Sequence, residues 1–304
     1  MALLLRSIYT ATLLSLAYVA VLYQGHPARR LPLPPIMVAF AAGLLAMVPV
    51  VVVRSIAPPA ASSMVSVAIH AAWEEGIKFA ALCLLIRGWR EPELTEPLDV
   101  AMYFAVLGVG FGVFEQVWYV LGSGQGGWLQ GDPVRFREAF RFAVAARSMP
   151  SHMLFGALAG GVIGHARFAS ARGMRLLLGV AALGVGAASH IGFDAVAQRG
   201  GTLALLAYLV ALLGALIAWR RWAWDRSAFR AIIDVAERGA AWTGDRPAEA
   251  VRLLLAEGFG WPGRTGSDLL RVYPMALSVA ILYPLLFGVV YSIAWGIAAL
   301  LARA

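Results

Sequence analysis

Apolar runs long enough to cross a bilayer recur along this chain, and no other feature restricts its fold as strongly. A helix crosses about 30 Å of hydrocarbon with roughly 20 residues. On that measure eight spans can be drawn, at about 7–24, 35–53, 60–86, 97–121, 148–168, 176–198, 201–219 and 273–302. In lipid every backbone N–H and C=O must be satisfied internally, so runs of this length specify helices. Composition agrees: 61% of the 304 residues are hydrophobic and 14% are charged, against about 25% charged in a soluble domain. The expected fold is therefore all-α, a polytopic transmembrane bundle of about eight spans with a short soluble helical insertion before the last.

The connections fit this reading. The segment "HPARRLPLPP" is a proline-rich turn, and "APPAASS" separates the second and third spans. In "RGWREPELTEP" a charged loop ends at Pro97, a favoured first-turn residue for span four. A glycine-rich loop, "GSGQGGWLQGDP", follows that span, and "VRFREAFRFAVAAR" then reads as an amphipathic helix at the interface. The expected organisation is a core over 1–219, a soluble helical segment over 220–272 and a C-terminal transmembrane helix over 273–304. The N-terminus is expected to begin the first span and to be retained.

The net charge of +8 does not point to nucleic acid, because the arginines mostly flank apolar runs, where lipid headgroups lie. Loops after odd-numbered spans carry 16 arginines and the other side carries 8. The positive-inside rule then places both termini outside and 220–272 in the cytoplasm, although nine of the 16 come from that one segment. The single cysteine, Cys83, excludes an intrachain disulfide and a cysteine-based metal site.

Against this background a few polar residues stand out. Glu74, Glu75, Glu115 and Asp194 lie well inside spans, as do Lys78, His70, His152, His165 and His190. Placing Asp, Lys or Arg at a helix centre costs about 2.5–3.5 kcal/mol on insertion scales. Residues of this kind face a bundle interior or a wet cavity and commonly mark function. Lys78 is also the sole lysine among 25 basic residues. Codon bias in a GC-rich bacterial genome accounts for the arginines but not for that survivor.

Spacing groups these residues. His70, Glu74 and Lys78 fall at i, i+4 and i+8, on one helical stripe, and Glu75 is three residues before Lys78. Phe111, Glu115 and Tyr119 form a second stripe, and His190 and Asp194 a pair at i, i+4. Glu115, His152, His190 and Asp194 all fall within eight residues of the same membrane face. Glu74 is deeper, about fourteen residues from it, and rises if span three begins later than 60. His26 and His165 lie toward the other face and read as interfacial.

A cavity holding these groups suits amide hydrolysis, which needs an activated water, an oxyanion stabiliser and a proton for the leaving amine. Glu74 is the expected general base, because it shares a stripe with His70 and Lys78, with Glu75 and Lys78 tuning it. Histidines with a carboxylate can instead hold Zn²⁺, which acidifies its bound water. No HExxH is present, so the ligands would come from separate helices. The same Glu/His/Asp chain also suits a proton-coupled transporter or channel, and a non-catalytic scaffold recruiting a partner through 220–272 is a third reading.

The segments "EEGIKF" (Glu74–Phe79), "EPLDVAMYFAVLGVGFGVFEQVWYVLG" (Glu96–Gly122), "RSMPSHMLFGALAG" (Arg147–Gly160) and "HIGFD" (His190–Asp194) occur in that order. Together they resemble the PrsW family of intramembrane proteases, and are more distantly similar to the CAAX-prenyl-endopeptidase and bacteriocin-processing group. The resemblance covers roughly 60–200. It marks Glu74, Glu75 and Lys78 from EExxK, Phe111 and Glu115 from FxxxE, His152, and His190 and Asp194 from HxxxD. It implies an intramembrane endopeptidase, metal-dependent or glutamic-type, acting on a membrane-protein or membrane-near peptide in a bacterial cytoplasmic membrane, with regulated proteolysis as one role. If a metal is bound, Glu115, His152 and His190 are the expected ligands, with Asp194 orienting His190. Gln116 stands where the resemblance leads one to expect asparagine.

Overall fold

The computed structural model describes residues 33–56, 63–88, 96–129 and 149–227, with a few single positions outside these ranges. Its six helices there are α1 (Leu33–Ile56), α2 (Met64–Gly88), α3 (Pro97–Leu129), α4 (Met149–Phe168), α5 (Arg172–Arg199) and α6 (Gly201–Asp225). No strand occurs among the described residues. The all-helical expectation holds, and the protein is an integral membrane protein.

Among the described residues four segments are long and apolar enough to cross a membrane: Leu33–Arg54, Pro97–Gln116, Arg172–Arg199 and Leu203–Asp225. The other two helices occupy the third and fifth expected spans but lack the apolar content of the four. α2 carries Glu74, Glu75, Lys78 and Arg87, and α4 carries two histidines and four glycines. These helices exchange lipid compatibility for polar groups turned inward. The first and eighth expected spans, the amphipathic segment at 134–147 and nearly all of 220–272 fall outside the described residues.

Burial orders the bundle. In α3 the apolar stretch is 94% buried, against 11% in α6. α3 is thus the central post, with Tyr103, Phe104, Phe111 and Phe114 fully enclosed, and it packs mainly on α4 and α1. α4 also packs on α5, while α2 lies against α5 and α1. On the periphery Leu176, Val180, Leu203 and Val210 stand exposed, as lipid-facing side chains should.

Small residues let the post approach its neighbours closely. A Cβ built on Gly108 of α3 would lie 2.2 Å from the carbonyl oxygen of His152 in α4. Only glycine permits that backbone contact, which is how small residues promote helix association in lipid. Gly201 opens α6 at φ 67°, a conformation glycine adopts without cost, and lets α5 turn back through Gly200–Gly201.

Several boundaries differ from those expected. α2 begins at Met64 rather than 60, which brings Glu74 ten residues, or about 15 Å, from its start. α3 does not stop near 121 but runs through "GSGQGG" to Leu129. Glycine lowers helix preference without removing a hydrogen bond, and no proline interrupts the chain between Pro97 and Pro133. α6 continues past 219 to Asp225, so the first residues assigned to the soluble segment are helical. At the start of α3 the expectation holds: Pro97 takes the first position and the Glu96 N–H donates to Asp99 Oδ2 at 3.0 Å.

Candidate active site

Five helices contribute to one buried polar cluster. Glu74, Glu75 and Lys78 come from α2, Glu115 from α3, His152 from α4 and His190 with Asp194 from α5. Arg54, near the end of α1, is the further member. Glu74, Glu75, Lys78, Glu115, His152 and His190 are each under 5% exposed, and the Asp194 side chain is 14% exposed. Every residue expected to form the site is therefore in or beside it. The helices run so that these positions lie toward one end of the bundle.

Lys78 is the cationic centre. Its Nζ donates to Glu75 Oε1 at 2.5 Å and to His152 Nδ1 at 2.9 Å, and sits 4.6 Å from the Phe111 ring centroid. Because Nδ1 of His152 accepts, its proton is on Nε2, which donates to Glu115 Oε2 at 2.8 Å. Glu75 Oε1 accepts a second bond, from His190 Nδ1–H, at 2.8 Å. His190 Nε2 therefore presents its lone pair, 3.9 Å from Glu74 Oε2 and 3.6 Å from Asp194 Oδ2. Phe155 stacks on the His190 ring at 5.1 Å, and His152 lies edge-on to Phe111 at 4.8 Å. These aromatic walls fix the orientation of both imidazoles.

Arg54 pairs with Glu74 Oε1 and reaches Glu115 Oε1 at 3.6 Å. Sequence reasoning passed over it because an arginine at the end of an apolar run reads as a headgroup anchor. The signal that could have found it is depth: it ends a span at the face where Glu115, His152 and Asp194 lie. His70 is half-buried and donates from Nδ1 to the Ser66 carbonyl at 2.8 Å, a bond within its own helix.

The expected metal ligands were Glu115, His152 and His190. The structure instead gathers Glu74, His152 and His190, with one ligand atom of each lying within 4.8 Å of the others, and leaves Glu115 hydrogen-bonded to His152. The orienting role expected of Asp194 falls geometrically to Glu75, which holds the far nitrogen of His190. This is the carboxylate–histidine arrangement common around bound metals.

The donor set can be tested against a divalent metal. Two imidazoles and a carboxylate are a suitable ligand chemistry; one nitrogen of His152 would exchange its present hydrogen bond, to Lys78 or to Glu115, for the metal. Arg54 pairs with one oxygen of Glu74 and Lys78 with one oxygen of Glu75, but the other oxygen, Oε2 in both, is buried and accepts no hydrogen bond, which is costly. Among the named groups four carboxyl groups face two cations, Arg54 and Lys78; with all four ionised and the imidazoles neutral, a divalent ion would bring the cluster to balance. The residues fit.

Gln116 is buried, and neither atom of its amide has a hydrogen-bond partner. An orphaned group of this kind costs about 1–3 kcal/mol.

Comparison with known proteins agrees with the geometry. The sequence model of the PrsW family intramembrane metalloproteases matches residues 31–219, which includes all eight residues of the cluster. No curated protein and no solved structure matches the chain. The match covers more than half of the chain: this protein belongs to the PrsW family of intramembrane proteases, which are peptide hydrolases.

Proposed function

We propose that the buried cluster hydrolyses a peptide bond of a membrane-embedded or membrane-near substrate, with Glu74, His152 and His190 holding a zinc ion. The observation that carries this reading is the Glu74 Oε2 without a hydrogen bond beside the open Nε2 of His190, in a cluster where four carboxyl groups face Arg54 and Lys78. Zinc held there supplies Lewis-acid polarisation of a carbonyl and lowers the pKa of water. Glu75 holds the Nδ1 proton of His190 and so keeps Nε2 free to ligate. Lys78 neutralises Glu75, and His152 keeps one of its two hydrogen bonds, to Lys78 or Glu115, while its other nitrogen ligates. Glu115 takes up a proton at Oε2, the atom facing His152, and Arg54 holds Glu74 and Glu115 in fixed places. Asp194, at the more accessible edge, passes protons between the cluster and water.

The wider setting belongs to the same proposal. About eight spans enclose the site, 220–272 forms a helical segment on the cytoplasmic side, and the protein works in a bacterial cytoplasmic membrane. A membrane-protein substrate enters from the bilayer. The test is cleavage by the purified full chain in liposomes, with a chelator, zinc add-back and the variants Glu74→Gln and His190→Ala. Cleavage that stops with the chelator, returns with zinc and is abolished in both variants is expected. Intact cleavage in both variants overturns the assignment.

A further inference from the structure

At the end of the bundle away from the active site, α2, α4 and α5 leave a cleft of about 710 Å³ between them. Its body is apolar, built by Phe79 of α2, Ile163 of α4 and Leu176, Val180 and Leu183 of α5. Leu176 and Val180 are 71% and 64% exposed, so the cleft opens sideways toward the lipid-facing side of α5. Arg87, Arg167, Arg172 and Arg175 line the same cleft, and no acidic residue does.

Span-end arginines usually satisfy the positive-inside rule without forming a site. Here they differ in arrangement. They are drawn from three helices and line one cavity. None of the four makes an ion pair among the described residues, and the one side-chain hydrogen bond seen from them runs from Arg175 to the Ser170 carbonyl at 3.1 Å. An apolar trough ending in several uncompensated guanidinium groups matches an amphipathic anion: a phosphate for the arginines and a chain for the trough. Basic pockets between transmembrane helices recognise anionic lipid headgroups in this way.

We infer that this cleft is a binding site for one anionic phospholipid, its phosphodiester on Arg87, Arg167, Arg172 and Arg175 and an acyl chain along the α5 wall. The inference does not depend on the chemistry of the active site. It also makes α5 the shared element, since that helix carries His190 and Asp194 at its other end. A lipid seated here braces α2, α4 and α5, three helices that supply six of the eight cluster residues.

The full chain in detergent, stripped of lipid and titrated with phosphatidylglycerol or phosphatidylcholine, tests this by native mass spectrometry. Phosphatidylglycerol should be retained preferentially, on the order of tenfold. That preference should vanish in Arg172→Gln/Arg175→Gln and persist in Arg221→Gln/Arg226→Gln, which removes charge from α6 and the residue after it. Gly179 lines the cleft, and a Cβ there meets nothing within 4 Å. Gly179→Trp should therefore fill the trough and expel the lipid without disturbing the backbone. Thermal unfolding of each variant confirms that it folds. Equal retention of the two lipids overturns the site, as does an equal loss in the Arg221/Arg226 control. Displacement by inorganic phosphate with no effect of Gly179→Trp assigns a free-phosphate site and overturns the lipid.

Discussion

Adding one methyl group to Gly108 should disable the active site by pressing on the backbone of His152 rather than on any reacting side chain. The Cβ of an alanine there would sit 2.2 Å from the His152 carbonyl oxygen and 2.7 Å from its carbon, against 3.4 Å for an ordinary contact. Both atoms are backbone, so no rotamer change relieves the overlap, and α4 must withdraw by about 1.2 Å (3.4 less 2.2). Withdrawal carries His152 away from Glu115 Oε2 and Lys78 Nζ, now 2.8 and 2.9 Å distant. At about 4 Å neither remains a hydrogen bond. Overpacking costs about 1–3 kcal/mol, partly offset by the gain of about 0.5–1 kcal/mol from replacing glycine in a helix. The loss in stability is therefore modest. The loss in rate is not, because a displacement of about 1 Å in a catalytic group lowers turnover by roughly 100-fold. The control is Gly184→Ala in α5, where a Cβ meets nothing within 4 Å; it should be neutral or slightly stabilising. The assay is cleavage rate in liposomes together with thermal unfolding in detergent. Gly108→Ala with a rate within about twofold of the parent, unfolding alongside Gly184→Ala, refutes the close-contact reasoning.

Other perturbations separate the roles in the cluster. Lys78→Met should destabilise by about 3–5 kcal/mol in thermal unfolding, because it strands the buried Glu75; Glu75→Gln in the same chain should restore much of that loss, and no restoration contradicts the pairing. Arg54→Gln should lower the cleavage rate at least about tenfold while the protein still folds, since it frees two carboxylates that the guanidinium holds; an unchanged rate removes Arg54 from the site. Gln116→Leu should raise stability by about 1–3 kcal/mol, because it removes an amide with no partner; a lower unfolding temperature indicates that the amide is satisfied. Metal analysis of the purified chain should find one zinc per molecule, absent from His152→Ala and His190→Ala, and an equal content in the variants excludes both as ligands.

The bundle and the membership of its site were largely legible in the sequence, because the cost of burying charge in an apolar run does not depend on how helices pack. That argument flagged Glu74, Glu75, Lys78, Glu115, His152, His190 and Asp194, together with His70 and His165. Stripe and depth arguments placed the first seven near one face. Pairings between helices were not legible. Whether His190 meets Glu75 or Asp194 depends on the rotation of α5 against α2, which intrahelical spacing does not encode. The favoured i, i+4 pair lies at 3.6 Å, while the bond across 115 residues closes to 2.8 Å. Arg54 was hidden by its ordinary position at a span end. The run of α3 through six residues of "GSGQGG" was hidden because local glycine content outweighs, in a reading by segment, the absence of any residue that breaks the helix.

The central claim is that the Glu74 cluster cuts peptide bonds in or beside the membrane. Peptide termini compared between membranes of cells making the parent chain or Glu74→Gln, at matched expression, test it most directly. The account requires new termini inside or next to transmembrane segments, present only with the parent chain, and these would name the substrates. Identical termini in the two membranes, across several growth stresses, would contradict it and leave the buried carboxylates as ion pairs that hold helices together.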